Sequence, residues 1–173
     1  MIKRLVGILV MGGGYVAAVA IAAIMLVMLV EVFARYVIGR PTTWALEVVS
    51  YLLVVSTCLG AAYTLRVHAH IAVDLVRKLF PRPVQQVLYR LSLLIVLGFA
   101  LVLLIWGVED VTRSFKLGDV SLTPLAAPLW MPQLSIPIGA ALLVLQTLLL
   151  LFDPRIFSEA EDPELQAVEH AAR

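Results

Sequence analysis

Residues Arg40 to Lys78 read RPTTWALEVVSYLLVVSTCLGAAYTLRVHAHIAVDLVRK, and the reading of this stretch decides the fold. Pro41-Thr-Thr-Trp44 leads into an apolar run that carries one acid, Glu47, a turn inside its start. Trp44 has the amphipathic ring that settles at the headgroup level of a bilayer. A carboxylate turned toward lipid is costly, so Glu47 should face protein or a water-filled cavity. Ser56, Gly60 and Thr64 recur at i, i+4, i+8 and form a candidate helix-packing face, because small residues let two membrane helices approach closely. The run ends at Arg66. Beyond it, a helix over about 70–80 would gather Ile71, Leu75, Val76, Leu79 and Phe80 on one side and Asp74, Arg77 and Lys78 on the other. That is the pattern of a short amphipathic helix lying in the interface, with Arg66, His70, Asp74, Arg77 and Lys78 as its membrane anchors. Pro81 and Pro83 stop it.

The rest of the chain extends the same reading. Of 173 residues, 62% are hydrophobic, and the mean hydropathy is +1.00. Soluble domains are about 45–50% apolar, so a water-soluble fold would lack polar surface. Four stretches are long enough to span a bilayer, which takes roughly 20 apolar residues each. The expected fold is all-α and integral to the membrane, with spans at about 5–36, 43–66, 84–116 and 133–152 and the interfacial helix between the second and third. Residues 1–153 form one membrane domain. From Asp153 onward the chain carries six acids against two arginines, so 154–173 is expected to be an acidic cytoplasmic tail. A basic start and an Ala18-Val-Ala20 sequence imitate a signal peptide, but the apolar run continues to Val30, and an uncleaved first span is expected.

In the first span Gly14, Ala18 and Ala22 form a second candidate packing face. Glu31 and Arg35 follow at i, i+4, the spacing of an ion pair on one helix face. Two readings of Glu47 stay open. It could belong to an ion or proton path, or it could be a structural acid paired with Arg35, Arg40 or a partner's side chain. A relay needs a chain of sites, and no second acid lies deeper in any span. Glu109 and Arg113, also at i, i+4, close the third span, and a connection broken by Pro124, Pro128 and Pro132 should lie at the surface. Counting Lys and Arg near the span ends puts eight (Lys3, Arg4, Arg66, Arg77, Lys78, Arg82, Arg90, Arg155) on the side of both termini and four (Arg35, Arg40, Arg113, Lys116) on the other. The excess favours both termini in the cytoplasm.

Chemistry is sparse. His68 and His70 share one membrane edge and His170 lies in the tail, so no pair of histidines on separate spans faces one cavity to hold haem or metal. Cys58 is alone, which excludes an intramolecular disulfide. No catalytic set, cofactor site or metal site is expected. A formal net charge of +1 gives no argument for nucleic acid. Left open are a self-contained small homo-oligomeric transporter or channel, which the few polar residues in the spans disfavour, and a redox subunit, which the histidines disfavour.

Several segments carry a resemblance. Glu31-x-x-x-Arg35-Tyr36 closes the first span and Pro41-Thr-Thr-Trp44-x-x-Glu47 opens the second. Leu59-Gly-Ala-Ala-Tyr63-x-x-Arg66-x-x-x-His70-Ile-x-Val-Asp74 ends the second span, and Pro128-Leu-Trp130 with Ile136-Pro-Ile-Gly139 opens the last. In order and spacing these resemble the small, DctQ-type membrane subunit of tripartite ATP-independent periplasmic (TRAP) transporters. The resemblance implies a non-catalytic scaffold in the bacterial inner membrane beside a large multispan subunit that carries substrate and sodium sites. It also implies a periplasmic binding protein that delivers an organic acid such as a C4-dicarboxylate. Glu31, Arg35 and Glu47 would then fix the outward end of the first helix pair.

Overall fold

The computed structural model describes residues 2–67, 82–123 and 125–152. Its elements are α1 (Ile2–Phe33), continued by a π-turn (Ala34–Ile38), α2 (Ala45–Arg66), α3 (Arg82–Leu117), a short α4 (Trp130–Gln133) and α5 (Ser135–Phe152). Among the described residues four helical stretches are long and apolar enough to cross a membrane: Lys3–Ile38, Ala45–Arg66, Val87–Leu117 and Trp130–Phe152. The all-α membrane fold with four spans is therefore the observed one. The proposed interfacial helix with His70, Asp74, Arg77 and Lys78, and the acidic tail, lie outside the described residues.

Local chemistry sets where the helices stop. Gly39 takes the left-handed conformation (φ 72°) and its N–H caps the Ala34 carbonyl, which Arg40 N also reaches at 3.1 Å. The wide i→i+5 turn over 34–38 ends α1 with the Ala34 carbonyl bonded twice. Gly118 (φ 66°) does the same for α3, with Asp119 N donating to Ser114 O at 3.1 Å in the six-to-one bond of a glycine cap. Pro137 stands in the first turn of α5, where its missing N–H costs no helical bond.

α1 and α2 form an antiparallel pair, α2 packs on α5, α5 packs on α3, and α1 also touches α5. The last helix is the hub: 39% of its span is buried, against 17% for α1 and for α3. Burial along α1 falls on Val6, Val10, Gly13, Ala17, Ala20, Ile24, Val27 and Glu31, with Ile24 and Val27 half-buried. The alternating steps of four and three average about 3.6 residues, the α-helical turn, and so keep one face on the neighbouring helices. The i, i+4 stripe read from the sequence runs differently. Gly14 is half-buried against the Tyr63 ring, while Ala18 and Ala22 are exposed. Each step of four overshoots the helical turn by about 40°, so Ala22 has rotated off the contact.

Backbone crossings explain the glycines that count. A Cβ on Gly139 would collide with the Cys58 carbonyl, so α5 crosses α2 there main chain to main chain. A Cβ on Gly107 would stand 3.0 Å from Ile136 Cγ2, marking the α3–α5 contact. Without a strong hydrophobic drive between helices in lipid, such close approaches carry much of the association. On α2, Ser56 is buried, Gly60 faces Ala17, and Thr64 is exposed with its hydroxyl donating to Gly60 O at 3.0 Å.

Candidate functional site

The two connections 39–44 and 118–129 meet at the same end of the bundle, and the buried acids lie there. Glu31 is 3% exposed and Glu47 is 7% exposed. A carboxylate this buried must have all its oxygens occupied, and both do. Glu31 Oε1 accepts from Arg35 Nε at 3.1 Å and Arg35 Nη2 at 2.6 Å, an i, i+4 ion pair with the guanidinium half out in solvent. Its second oxygen accepts the Thr42 backbone N–H at 2.9 Å and the Thr42 hydroxyl. One carboxylate thus ties the end of α1 to the residues that lead into α2.

Within the chain, Glu47 pairs with neither Arg35 nor Arg40. Arg35 is engaged by Glu31, and Glu47 takes neutral hydroxyls instead. Its Oε1 accepts from Tyr51 one turn on, and its Oε2 accepts from Thr123 in the far connection, 76 residues away in sequence. Ser121 Oγ stands 2.9 Å from Thr123 Oγ1 and takes Thr123 N at 3.3 Å, so the two hydroxyl residues present as a unit. Glu47 also lies in the first turn of α2, where a negative charge favours the positive end of the helix dipole. Trp44 precedes that turn and is 38% exposed at the same edge.

The loop that delivers Thr123 is built to hold its shape. Leu129 N donates to Asp119 O at 3.0 Å, Ser121 N to Ala127 O at 2.9 Å and Ala126 N to Thr123 O at 3.0 Å, with Ala126 at φ 45°. Phe115 and Trp130 lock its base in an edge-to-face pair, with centroids 5.7 Å apart at 84°. Leu122 at the tip is fully exposed. Glu109 and Arg113 are both exposed and flank a surface hollow of about 570 Å³ without closing an ion pair with each other. At an exposed edge such a pair gains little.

At the opposite end Arg66 reaches from α2 to α1 and donates to the Gly7 carbonyl. Midway along α5, Gln146 and Thr147 are buried, and the Thr147 hydroxyl donates back to Leu143 O at 2.7 Å. The sequence reading passed over both, although two polar residues inside Leu142-Leu-Val-Leu-Gln-Thr-Leu-Leu-Leu-Leu are a visible signal. Among the described residues Gln133 Oε1 is the buried side-chain acceptor with no partner.

These features define a class: a multi-pass helical membrane protein whose buried charges are tied off within the chain. Residues 24–155 match the family of tripartite ATP-independent periplasmic transporters, DctQ component, and the chain belongs to that family. The C4-dicarboxylate TRAP transporter small permease protein DctQ of Pseudomonas aeruginosa is 31% identical over 111 residues, 63% of this chain and 53% of that protein. The chain thus aligns with about half the length of this relative.

Proposed function

We propose that this TRAP transporter component is a non-catalytic scaffold in the inner membrane, with both termini cytoplasmic and the two connections that bind Glu31 and Glu47 on the periplasmic side. It supports a large multispan subunit in sodium-coupled uptake of an organic acid, of the C4-dicarboxylate kind named for its relative, which a periplasmic binding protein delivers. The observation that carries this reading is that each buried acid is fully engaged by fixed groups of its own chain. An ion path needs sites that can exchange partners, and it needs them in series. Here Glu31 joins α1 to the residues that lead into α2, and Glu47 joins α2 to the α3–α5 connection, so two side chains tie two junctions of the bundle. The broad apolar flanks of α1 and α3, with Leu29, Phe33, Ile95 and Ile105 all more than half exposed, leave surface for lipid and for a larger partner. The segment with His70, Asp74, Arg77 and Lys78 would anchor the cytoplasmic side, with the acidic tail beyond it.

The test is a mild-detergent pull-down of the tagged chain from native membranes, with mass spectrometry of what accompanies it. A stoichiometric multispan protein, joined by a soluble periplasmic protein when substrate is added, is the expected result. Recovery of this chain alone as a defined homo-oligomer would overturn it.

A further inference from the structure

An open groove of about 640 Å³ runs along the outer face of α2, flanked by α1 and by α3. Gly14 and Ala18 form one wall, Gly60 and Thr64 the floor, and Val96 and Phe99 the other wall. Parts of both small-residue stripes therefore line one cleft, open to the hydrocarbon. From Ser56 to Leu65 it measures about 14 Å at 1.5 Å per residue, close to one leaflet's share of a roughly 30 Å apolar core.

Small residues alone would fit many occupants; the end of the groove narrows the choice. Tyr63 covers Gly14, and one heptad further toward the chain's N-terminus Arg66 covers Gly7, with Nη1 and Nη2 each 3.3 Å from where a Cβ would stand. The guanidinium thus lies past the end of the groove, about 10 Å along α1 from Gly14 at 1.5 Å per residue, and Leu65, the last α2 residue of the lining, is its chain neighbour. Its bond to Gly7 O uses one of five N–H donors. Arg4, exposed one turn before Gly7, adds a second positive charge at this level. A mostly apolar slot one leaflet deep, ending at a planar fork suited to phosphate, has the outline of a lipid.

We infer that this groove binds an anionic phospholipid of the leaflet at the Arg66 end, its phosphate on Arg66 and an acyl chain along Gly14, Ala18, Gly60 and Thr64. The site depends on the spans crossing a bilayer and not on which proteins accompany the chain. A bound lipid would fill the gap between α1 and α3, which scarcely touch each other among the described residues, and so act as a fixed part of the bundle.

The experiment is native mass spectrometry and thermal unfolding of the full chain, purified in mild detergent in the complex it forms, delipidated and titrated with phosphatidylglycerol or phosphatidylcholine. Phosphatidylglycerol should raise the unfolding temperature by several degrees and bind more tightly than phosphatidylcholine, by about fivefold for each basic side chain engaged. Arg66→Gln should erase the preference. Ala18→Phe, which leaves Arg66 and the buried core intact, should abolish retention of either lipid. Equal affinity for both lipids, or retention unchanged in Ala18→Phe, overturns the site. So does crosslinking of Ala18→Cys, in a Cys58→Ser background, to a helix of another polypeptide. Should Arg66→Gln not fold, Ala18→Phe decides alone.

Discussion

α2 is held by different physics at its outer end and at its middle. At the outer end Glu47 fastens it through hydrogen bonds to Tyr51 and Thr123, and Glu31 fastens the residues that lead into it. At the middle it is held by the absence of side chains: Gly139 against the Cys58 carbonyl, and Gly60 against Ala17. Hydrogen bonds fix direction and register but pull weakly once both partners have alternatives. Backbone crossings gain many small dispersion contacts and tolerate no added atom. The two ends divide the work: stability comes from the crossing, and alignment of the end of the bundle where the two connections meet comes from the acids.

Breaking the crossing should do the most damage. Gly139→Leu places atoms against main chain that cannot rotate away, and we expect a loss of about 3 kcal/mol or more, seen as collapse of folded yield and of the unfolding temperature in detergent. Gly14→Leu sharpens the point. Its obstacle is the base of the Tyr63 side chain, which moves only if χ1 changes, whereas main chain cannot move aside at all, so the cost should be about 2 kcal/mol.

Next come the polar ties. Glu47→Leu leaves the hydroxyls of Tyr51 and Thr123 without their acceptor, whereas Glu47→Gln keeps an acceptor oxygen in place. The expected order in complex yield is wild type, then Gln, then Leu, with Leu several-fold down. Thr123→Val should cost about 1–2 kcal/mol and also loosen the 118–129 loop, which amide hydrogen exchange at Ser121 and Ala126 would report. If Thr123→Val is silent while Glu47→Leu is severe, the inter-connection tie is not what Glu47 supplies.

The smallest effects test the accounting of exposed and orphaned groups. Glu109→Ala should change stability by less than about 0.5 kcal/mol, because its carboxylate holds no ion pair with Arg113. Gln133→Met removes a buried acceptor that has no partner among the described residues, and should be neutral or stabilising by up to about 1 kcal/mol. A clear destabilisation would show that Gln133 is engaged after all.

Four spans were legible because each is a long apolar run bounded by Pro, Gly or charge, and composition alone forbids burying that much surface in water. Glu31 with Arg35 was legible because both lie on one helix four residues apart. The partner of Glu47 was not, since Thr123 stands 76 residues away in a loop whose shape depends on Gly118 and on backbone bonds between Asp119 and Leu129. The packing faces were half legible. Gly14, Gly60 and Ser56 do sit at or beside contacts, but contact alternates steps of four and three while the stripe read from the sequence keeps to steps of four. The crossing at Gly139 had a signal, a glycine in an otherwise bulky helix, yet nothing local says that its neighbour is the backbone at Cys58.

The claim that the acids hold rather than conduct is tested most directly by transport in proteoliposomes carrying the complex with wild-type or Glu47→Leu chain. The measurement is uptake per assembled complex as sodium is varied. The account predicts fewer complexes but an unchanged sodium dependence in each one that forms. Normal assembly with an altered sodium dependence would contradict it and make Glu47 part of the ion path.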